Sequence, residues 1–295
     1  MHILLVLNEH AGNEKARRLK REVCEHLAIK QITFDLKIPE YFRHALEIVQ
    51  SLDLSAYDAI VAAGGDGTVF EVLNGYMQNE TLSKPPFGVI PLGTGNAFSR
   101  DFFTTKTSWV EAVESLSKCE TKLIDTAFVK GGSESYYFVG VVGFGLITEA
   151  TIKGNPLKKL GPIADMLAAV ITLFTLKARK LKLTLDGVAQ ESESFLLSVS
   201  NTNYISDLLI APKAISDDGL LDVVNSKKMS KLKLLSLIPT AYTGKHILCE
   251  SVDYYTAKEI VIETETPWIP SPGGELLAPT PLTISCIPKS LRIFI

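Results

Sequence analysis

The chain has 295 residues, which is long for one domain, so we expect two. Hydrophobic residues make up 46% and charged residues 21%, a composition typical of a soluble globular protein. The net charge of −3 argues against the broad basic surface that nucleic-acid binding requires, so no nucleic-acid partner is expected.

The cysteines and the N-terminus indicate the cellular setting. The four cysteines, Cys24, Cys119, Cys249 and Cys286, are scattered and form neither a CxxC pair nor a Cys/His cluster. This spacing favours reduced thiols in a cytoplasmic protein over a zinc site or a disulfide framework. Residues 1–8 turn polar too early for a signal peptide, and we interpret them as a buried first strand.

The first 125 residues alternate predicted strands with predicted helices. We expect strands at 3–7, 31–37, 59–63 and 87–91, and helices near 13–28, 40–52, 69–77 and 108–117. This alternation predicts a parallel sheet covered by helices. Loops that follow the strands of such a sheet meet at its carboxyl edge, where these folds bind ligands.

Beyond residue 124 the pattern changes to strands and turns. We expect strands at 136–142, 181–185, 193–200, 221–224, 259–263 and 282–287, with turns at 186–187, 218–219 and 273–274. The pattern favours a second, mainly antiparallel domain. We therefore predict an α/β domain over residues 1–124 and a second domain over 125–295, whose last strand can return to the first domain.

The longest apolar stretch covers residues 161–176 and contains one aspartate, with three basic residues just after it. It is shorter than the roughly 20 apolar residues of a membrane-spanning helix. Two interpretations remain: a buried core helix, which we favour, or a helix that rests on a lipid surface with its basic end at the headgroups.

The most informative segment is the loop after the third predicted strand, which reads Gly64-Gly65-Asp66-Gly67-Thr68. Adjacent glycines lack the Cβ atoms that keep an anion from the backbone, and they tolerate positive φ. Their amides can form a phosphate-sized nest ahead of a helix that we expect from Thr68 onward. Asp66 adds a carboxylate suited to magnesium or to orienting an attacking hydroxyl. The segment predicts a nucleoside triphosphate site.

A second glycine loop follows the fourth predicted strand and reads Gly93-Thr94-Gly95-Asn96. The hydroxyl and amide of Thr94 can reach a phosphate, and Asn96 can either fix the loop or bind a substrate hydroxyl. Alone, such a loop is more often a structural turn. After the strand that follows the first glycine loop, it indicates a second wall of one phosphate site.

With these two loops in this order, the chain resembles the diacylglycerol kinase catalytic domain family. That family includes bacterial lipid kinases, sphingosine kinases and ceramide kinases. The resemblance rests on the run from Gly64 to Gly75, on Pro-Leu-Gly-Thr-Gly-Asn ending at Asn96, and on later markers at 138–145, 200–201, 211–214 and 217–223. Asn8 and Gly12 stand where the family has its first nucleotide-loop motif. The resemblance covers essentially the whole chain.

The resemblance implies a two-domain lipid kinase that uses ATP and Mg²⁺. The first domain would be similar to those of NAD kinases and phosphofructokinases, and the second would be a β-sandwich that helps to bind the lipid. It also implies a lipid substrate, most simply diacylglycerol, and peripheral contact with a membrane; a homodimer is left open. The residues implied for the nucleotide are Asn8, Gly12, Gly64, Gly65, Asp66, Gly67, Thr68, Glu71, Gly93, Thr94, Gly95 and Asn96.

The resemblance also implies a structural magnesium site and a C-terminal acidic motif. The magnesium ligands would be the Asp218 side chain with backbone oxygens of Ile215 and Leu220. The family's last motif is usually Asp-Gly-Glu, whereas this chain has Gly273-Gly274-Glu275. If the missing aspartate is the general base, its loss costs on the order of 10²–10⁴ in rate. Asp66 and Glu275 are the carboxylates expected to take over.

Other departures and alternatives follow from the same comparison of motifs. Residues 205–207, Ile-Ser-Asp, replace a glycine pair on the expected lipid side. The alternatives to a diacylglycerol kinase are a sphingosine- or ceramide-type kinase, an NAD kinase, and a nucleotide- or lipid-binding relative with impaired catalysis. The second glycine loop and the 217–223 run argue against NAD kinase, and Gly273 is the reason to consider impaired catalysis.

Overall fold

The computed structural model describes residues 1–103, 108–132, 134–154, 172–173, 175–272, 275 and 277–295. The chain divides into two compact units. Unit 1 contains Met1–Thr126 and Pro288–Ile295, and unit 2 contains Ala127–Ile287.

Unit 1 contains a parallel sheet with helices between its strands. Its strands are β1 His2–Leu7, β2 Thr33–Lys37, β3 Ala59–Gly64 and β4 Phe87–Pro91, and its helices are α1 Ala11–Ile29, α2 His44–Ser51, α3 Asp66–Gln78, α4 Ala97–Arg100 and α5 Trp109–Lys118. The strands pair in the order β4-β3-β1-β2, all parallel. Every residue of β3 and β4 is buried, because a parallel sheet is covered on both faces. The predicted α/β class of this half is confirmed.

The last strand of the chain ends in unit 1. This strand, Leu282–Phe294, places Ile293 parallel to Phe87 of β4. Leu291, Ile293 and Phe294 are buried, and the Ser115 hydroxyl of α5 donates to the Ile295 carbonyl at 2.8 Å. The end of the chain thus closes one side of the parallel sheet.

Unit 2 is built mainly from antiparallel strands. With β5 Thr121–Gly131, which begins in unit 1, its strands are β6 Glu134–Phe138, β7 Val141–Gly145, β8 Arg179–Leu185, β9 Val188–Ser200, β10 Tyr204–Ile205, β11 Leu208–Leu209, β12 Leu221–Lys227, β13 Val252–Ala257, β14 Glu259–Thr264, β15 Ser271–Pro272 and the start of β16 Leu282–Phe294. Its described helices are α6 Leu146–Gly154 and α7 Lys231–Ala241. The long strand β9 pairs with β8 over its first half and with β7 and β12 over its second. The predicted antiparallel character is confirmed.

Several elements differ from the sequence-based expectations. Strands β5 and β13 and helices α6 and α7 were not predicted. The predicted helix at 161–176 and the predicted turn at 273–274 lie largely or wholly outside the described residues. Among the helices that are described, none combines the length and apolar character needed to cross a membrane.

The return of the last strand generates a stability prediction for unit 1. Phe294 packs into the core cluster of this unit, whereas Arg292, two residues earlier, is exposed. We expect Phe294→Ala to lower the free energy of unfolding by about 3–5 kcal/mol, while Arg292→Ala changes it little. Urea denaturation in a Trp268→Phe background reports on unit 1 through Trp109. Equal unfolding midpoints for the two variants would contradict the assignment of this strand to the core.

Candidate functional site

Two glycine loops touch each other at the carboxyl edge of the parallel sheet. A Cβ atom added to Gly93 would lie 2.4 Å from the Cα of Gly65, closer than any side chain tolerates. The Gly64 carbonyl accepts hydrogen bonds from the amides of Leu92 at 2.8 Å and Gly93 at 3.1 Å. Neither Gly64, Gly65 nor Gly93 has positive φ. Of the two glycine properties considered from the sequence, the missing Cβ atom matters here, because it permits close backbone approach at Gly93; tolerance of positive φ is not used.

A third loop, residues 8–12, joins these two; it runs into the start of α1, where residues 12–14 have non-helical dihedral angles. Gly12 has φ 63°, and a Cβ atom there would lie 2.5 Å from the Leu92 carbonyl oxygen. Asn8 donates through Nδ2 to the Thr68 hydroxyl at 3.2 Å and accepts through Oδ1 from the His10 amide. Since the Thr68 oxygen already accepts from Asn8, its proton remains available for another acceptor. The structure therefore brings Asn8, Gly12 and Thr68 together with both glycine loops.

Helix α3 begins at Asp66, earlier than the predicted start, so Gly67 and Thr68 belong to its first turn. The first regular helical hydrogen bond runs from the Val69 amide to the Gly65 carbonyl at 3.1 Å. Within the described residues, no acceptor is found for the amides of Gly67 and Thr68. Unsatisfied amides and the positive end of the helix dipole favour a bound anion. This geometry agrees with a phosphate site.

Asp66 connects the phosphate loop to the second glycine loop. Its Oδ1 accepts from the Phe98 amide at 3.3 Å, at the start of the short helix α4. Burial raises the pKa of the Asp66 carboxyl above its ordinary range, and the amides of Ala97 and Phe98 oppose this rise by stabilising the carboxylate. Asp66 thus has a structural role in addition to any role in chemistry, which its motif alone did not indicate.

Asn96 fixes the second glycine loop. Its Oδ1 accepts from the Gly93 amide and its Nδ2 donates to the Gly93 carbonyl, both at 2.9 Å. The residue is buried and has φ 48°, a left-handed conformation that asparagine tolerates better than most residues. Of the two roles considered from the sequence, the structure displays the structural one. Thr94 is exposed at the tip of the loop, and Gly95 beside it is partly buried.

Glu71 binds backbone amides at the start of the neighbouring helix α2. Its two carboxylate oxygens accept from the amides of Arg43 at 3.1 Å and Ala45 at 3.2 Å. Burial raises the pKa of Glu71, and these two amides act in the opposite direction. Contact of Glu71 with a nucleotide stays a prediction.

One residue beside the loops was missed from the sequence. The Cβ of Lys15 lies 3.1 Å from the position of a Cβ added to Gly12, so its side chain starts next to the third loop. Lys15 is partly exposed and forms no ion pair with any described residue. The only available signal was a basic residue three positions after the glycine, at the start of a helix.

The residues implied for magnesium lie in unit 2, before strand β12. Asp218 accepts from the Leu220 amide at 3.0 Å. Burial is the largest cause that raises the pKa of the neighbouring Asp222 to about 6; the Tyr254 hydroxyl opposes the rise and the Asp218 carboxylate adds to it. Two carboxylates near each other favour a cation. The described residues contain no cluster of three His, Cys, Asp or Glu side chains, so a hard cation would need backbone oxygens, such as that of Ile215, and water.

Glu275 belongs to unit 2, and its amide donates to the Pro272 carbonyl at 2.9 Å. Its neighbours Gly273 and Gly274 lie outside the described residues. A catalytic role for Glu275 stays a prediction.

Unit 2 also contains an apolar cavity of about 320 Å³. Its walls include Leu146, Leu196, Ile210, Leu234, Leu237 and Ile238. Ile205, Ser206 and Asp207, which we expected on the lipid side, all line it. Ser206 has φ 50° in the two-residue turn between β10 and β11. A cavity of this kind accommodates an aliphatic chain.

Two family profiles together match nearly the whole chain. The diacylglycerol kinase catalytic domain matches residues 2–129. The YegS C-terminal NAD kinase beta sandwich-like domain matches residues 140–295. The second match confirms the predicted β-sandwich class of the C-terminal half.

Individual relatives agree with these profiles. A diacylglycerol kinase of Mycobacterium tuberculosis (strain ATCC 25618 / H37Rv) is 30% identical, covering 80% of this chain and 76% of the relative. Sphingosine kinase 1 of Arabidopsis thaliana is 25% identical over 99% of this chain and 72% of its own length. A crystal structure of a diacylglycerol kinase from Bacillus anthracis str. Sterne superimposes with a TM-score of 0.76 at 25% identity, covering 99% of this chain and 96% of that one.

The contact between the third loop (residues 8–12) and the second can be tested with a matched pair of glycines. Gly12 and Gly132 both have positive φ, but a Cβ on Gly132 would meet nothing within 4 Å. We expect Gly12→Ala to weaken binding of a non-hydrolysable ATP analogue at least tenfold in titration calorimetry, because the methyl group displaces the Leu92 carbonyl. Gly132→Ala carries the same conformational cost, about 1 kcal/mol, and should leave nucleotide binding unchanged. Equal affinities in both variants would contradict the assignment of this loop to the nucleotide site.

Proposed function

Because the chain belongs to the diacylglycerol kinase catalytic domain family and is a lipid kinase, we propose that it phosphorylates diacylglycerol with ATP to give phosphatidic acid. The resemblance drawn from its motifs is thereby confirmed at the level of the family. The observation that carries the proposal is the convergence of three loops on the free amides of Gly67 and Thr68. Some relatives are named diacylglycerol kinases and others sphingosine kinases, and both names support a lipid acceptor.

The proposed nucleotide site lies in unit 1. The amides of Gly67 and Thr68 would donate to phosphate oxygens, and the Thr68 hydroxyl, oriented by Asn8, would donate beside them. Thr94 would reach the phosphates from the second loop, and Lys15 would supply positive charge from beside the third. Positioning and charge neutralisation supply most of the catalysis in phosphoryl transfer, so such a cradle suffices without a covalent intermediate.

In the proposed reaction, the lipid hydroxyl oxygen bonds to the γ-phosphorus while the bond to the β,γ-bridging oxygen breaks. The hydroxyl proton passes to a carboxylate, and ADP leaves with the bridging oxygen. Asp66 is our first candidate for that carboxylate or for holding the metal, and Glu275 is the second. Magnesium, when bound, neutralises charge on the transferred phosphate; in unit 2, Asp218 with backbone oxygens of Ile215 and Leu220 would hold a structural ion.

The acceptor is tested by a panel of lipids with labelled ATP. The purified chain is incubated with diacylglycerol, monoacylglycerol, sphingosine and ceramide, and with NAD as a separate acceptor. We expect label in phosphatidic acid. Label in sphingosine or ceramide alone would reassign the acceptor, and label in no lipid, where a control kinase is active, would contradict the proposal.

The replacement of the family aspartate by Gly273 is tested by restoring it. If catalysis is limited by the missing carboxylate, Gly273→Asp raises kcat on the order of 10²–10⁴-fold. An unchanged kcat would indicate that Asp66 or Glu275 already accepts the proton.

We expect Asp66→Asn to abolish label transfer while the chain remains folded. The amide oxygen of asparagine can still accept from the Phe98 amide, whereas Asp66→Ala leaves that amide without its partner. Circular dichroism and thermal unfolding check the fold of both variants. Substantial residual transfer in Asp66→Asn would exclude a role for the ionised carboxylate.

The raised pKa of Asp66 predicts a pH dependence. If the reaction needs the carboxylate form, activity rises with pH, because a raised pKa leaves more of the group protonated at low pH. We expect the acidic limb of the kcat/KM profile to lie above the ordinary aspartate pKa of about 3.9. An acidic limb at that ordinary value would contradict the buried setting of Asp66.

Peripheral association with a membrane follows from a lipid acceptor and is part of the proposal. The division into domains at residue 124, a cytoplasmic location and a homodimer remain predictions.

A further inference from the structure

The outer face of helix α7 and of the segment after it has no part in the phosphate site. After α7 the chain forms a short 3₁₀ helix, Lys245–Leu248, and returns to the start of α7. The return is shown by Lys233, whose Nζ donates to the Ser251 hydroxyl at 3.3 Å. We call residues 231–251 the α7 hairpin.

The inner face of the α7 hairpin is fixed to unit 2. Leu234 and Leu237 of α7 line the apolar cavity, as does His246. His246 is buried, and its Nε2 lies 3.0 Å from the Ile210 carbonyl oxygen. The Ser230 hydroxyl caps the helix by accepting from the Lys233 amide at 3.2 Å. The hairpin is therefore an ordered wall of the cavity.

The outer face of the hairpin exposes large apolar side chains. Leu232 is 80% exposed, Leu248 is 79% exposed and Tyr242 is 52% exposed. The Lys233–Ser251 hydrogen bond joins the start of α7 to the end of the hairpin. Leu232 is next to Lys233, and Leu248 is three residues before Ser251, so the bond brings the segments of these two leucines together. Exposed apolar groups gathered on one ordered segment usually mark an interaction surface.

The α7 hairpin also exposes lysines. Lys231, Lys233 and Lys245 are exposed, and the hairpin sequence contains one acidic residue, Glu250. The chain as a whole carries a net charge of −3, so the hairpin is locally opposite in sign. Two of the lysines lie in the first turn of α7, where the helix dipole disfavours positive charge and acidic residues are absent. Helix stability does not explain this placement, whereas a negatively charged partner does.

We propose that the outer face of the α7 hairpin docks on an anionic lipid bilayer. This inference rests on the proposed lipid kinase function, since the acceptor resides in a membrane. Leu232, Leu248 and Tyr242 would enter the headgroup region while the lysines contact lipid phosphates. Tyr242 also lines the apolar cavity, so the cavity wall continues onto the docking face. Lipid leaving the bilayer would meet the cavity at this edge.

Vesicle sedimentation tests the docking face directly. The full chain is mixed with vesicles of phosphatidylcholine alone or of phosphatidylcholine with phosphatidylglycerol. We expect binding to the anionic vesicles that weakens with salt. Replacing Lys231, Lys233 and Lys245 by glutamine should weaken binding to anionic vesicles on the order of 10²-fold, because each lysine near the surface contributes about tenfold or less. The Leu232→Gln/Leu248→Gln variant should weaken it roughly tenfold.

Matched controls come from other exposed positions of unit 2. Val188, 72% exposed at the start of β9, is replaced by glutamine as the apolar control. Lys130→Gln with Lys258→Gln is the charge control, since both lysines are exposed away from the hairpin. These variants should bind vesicles like the unmodified chain. Circular dichroism confirms that all variants fold.

A parallel assay separates failure of docking from failure of the proposed function. Phosphorylation of a short-chain diacylglycerol below its micellar concentration needs no bilayer, so hairpin variants should retain it and lose only transfer to vesicle-borne lipid. If the hairpin variants bind anionic vesicles as well as the control variants do, the proposed docking face is wrong. It is also wrong if the hairpin variants lose self-association of the chain but keep vesicle binding. Absence of transfer to any lipid by the unmodified chain would instead contradict the proposed function, while vesicle binding would still decide the docking face.

Discussion

The proposed phosphate site depends on the contact between the backbones of Gly65 and Gly93. This approach leaves no room for a Cβ atom on Gly93, and the Gly64 carbonyl holds the second loop by accepting from two amides. Gly12 approaches the same second loop at the Leu92 carbonyl. With the three loops held together, the Gly67 and Thr68 amides at the start of α3 have no acceptor among the described residues. Close packing of backbone thus leaves donors at the place where we propose that a phosphate binds.

Asp66 adds a second constraint, because the carboxylate that we propose for the chemistry also has a structural role. It accepts from the first amides of α4, and burial makes its ionised form costly. These hydrogen bonds fix its position beside the proposed phosphate site, as a base or a metal ligand requires. Replacement by alanine would therefore disturb the second loop as well as the proposed reaction. Asparagine is therefore the more informative substitution.

Much of the site could be predicted from sequence, because glycine loops after buried strands meet at one sheet edge. The alternation of strands and helices likewise predicted the parallel sheet. The reason for the glycines could not be predicted, since the Gly65–Gly93 contact is long-range and leaves no local signal. The role of Glu71 also depends on partners distant in sequence, the amides of Arg43 and Ala45, whereas the loop-fixing role of Asn96 is local and was one of the two expected. Helix α7 was missed because its basic first turn and internal Pro239 contradict the usual signals of a helix.

We propose that unit 1 binds the nucleotide, and unit 2 contains an apolar cavity. If the three loops cradle the phosphates of ATP, a crystal structure with a bound non-hydrolysable ATP analogue will show it. We expect phosphate oxygens within hydrogen-bonding distance of the Gly67 and Thr68 amides. A nucleotide bound elsewhere, with those amides contacting only water, would contradict it.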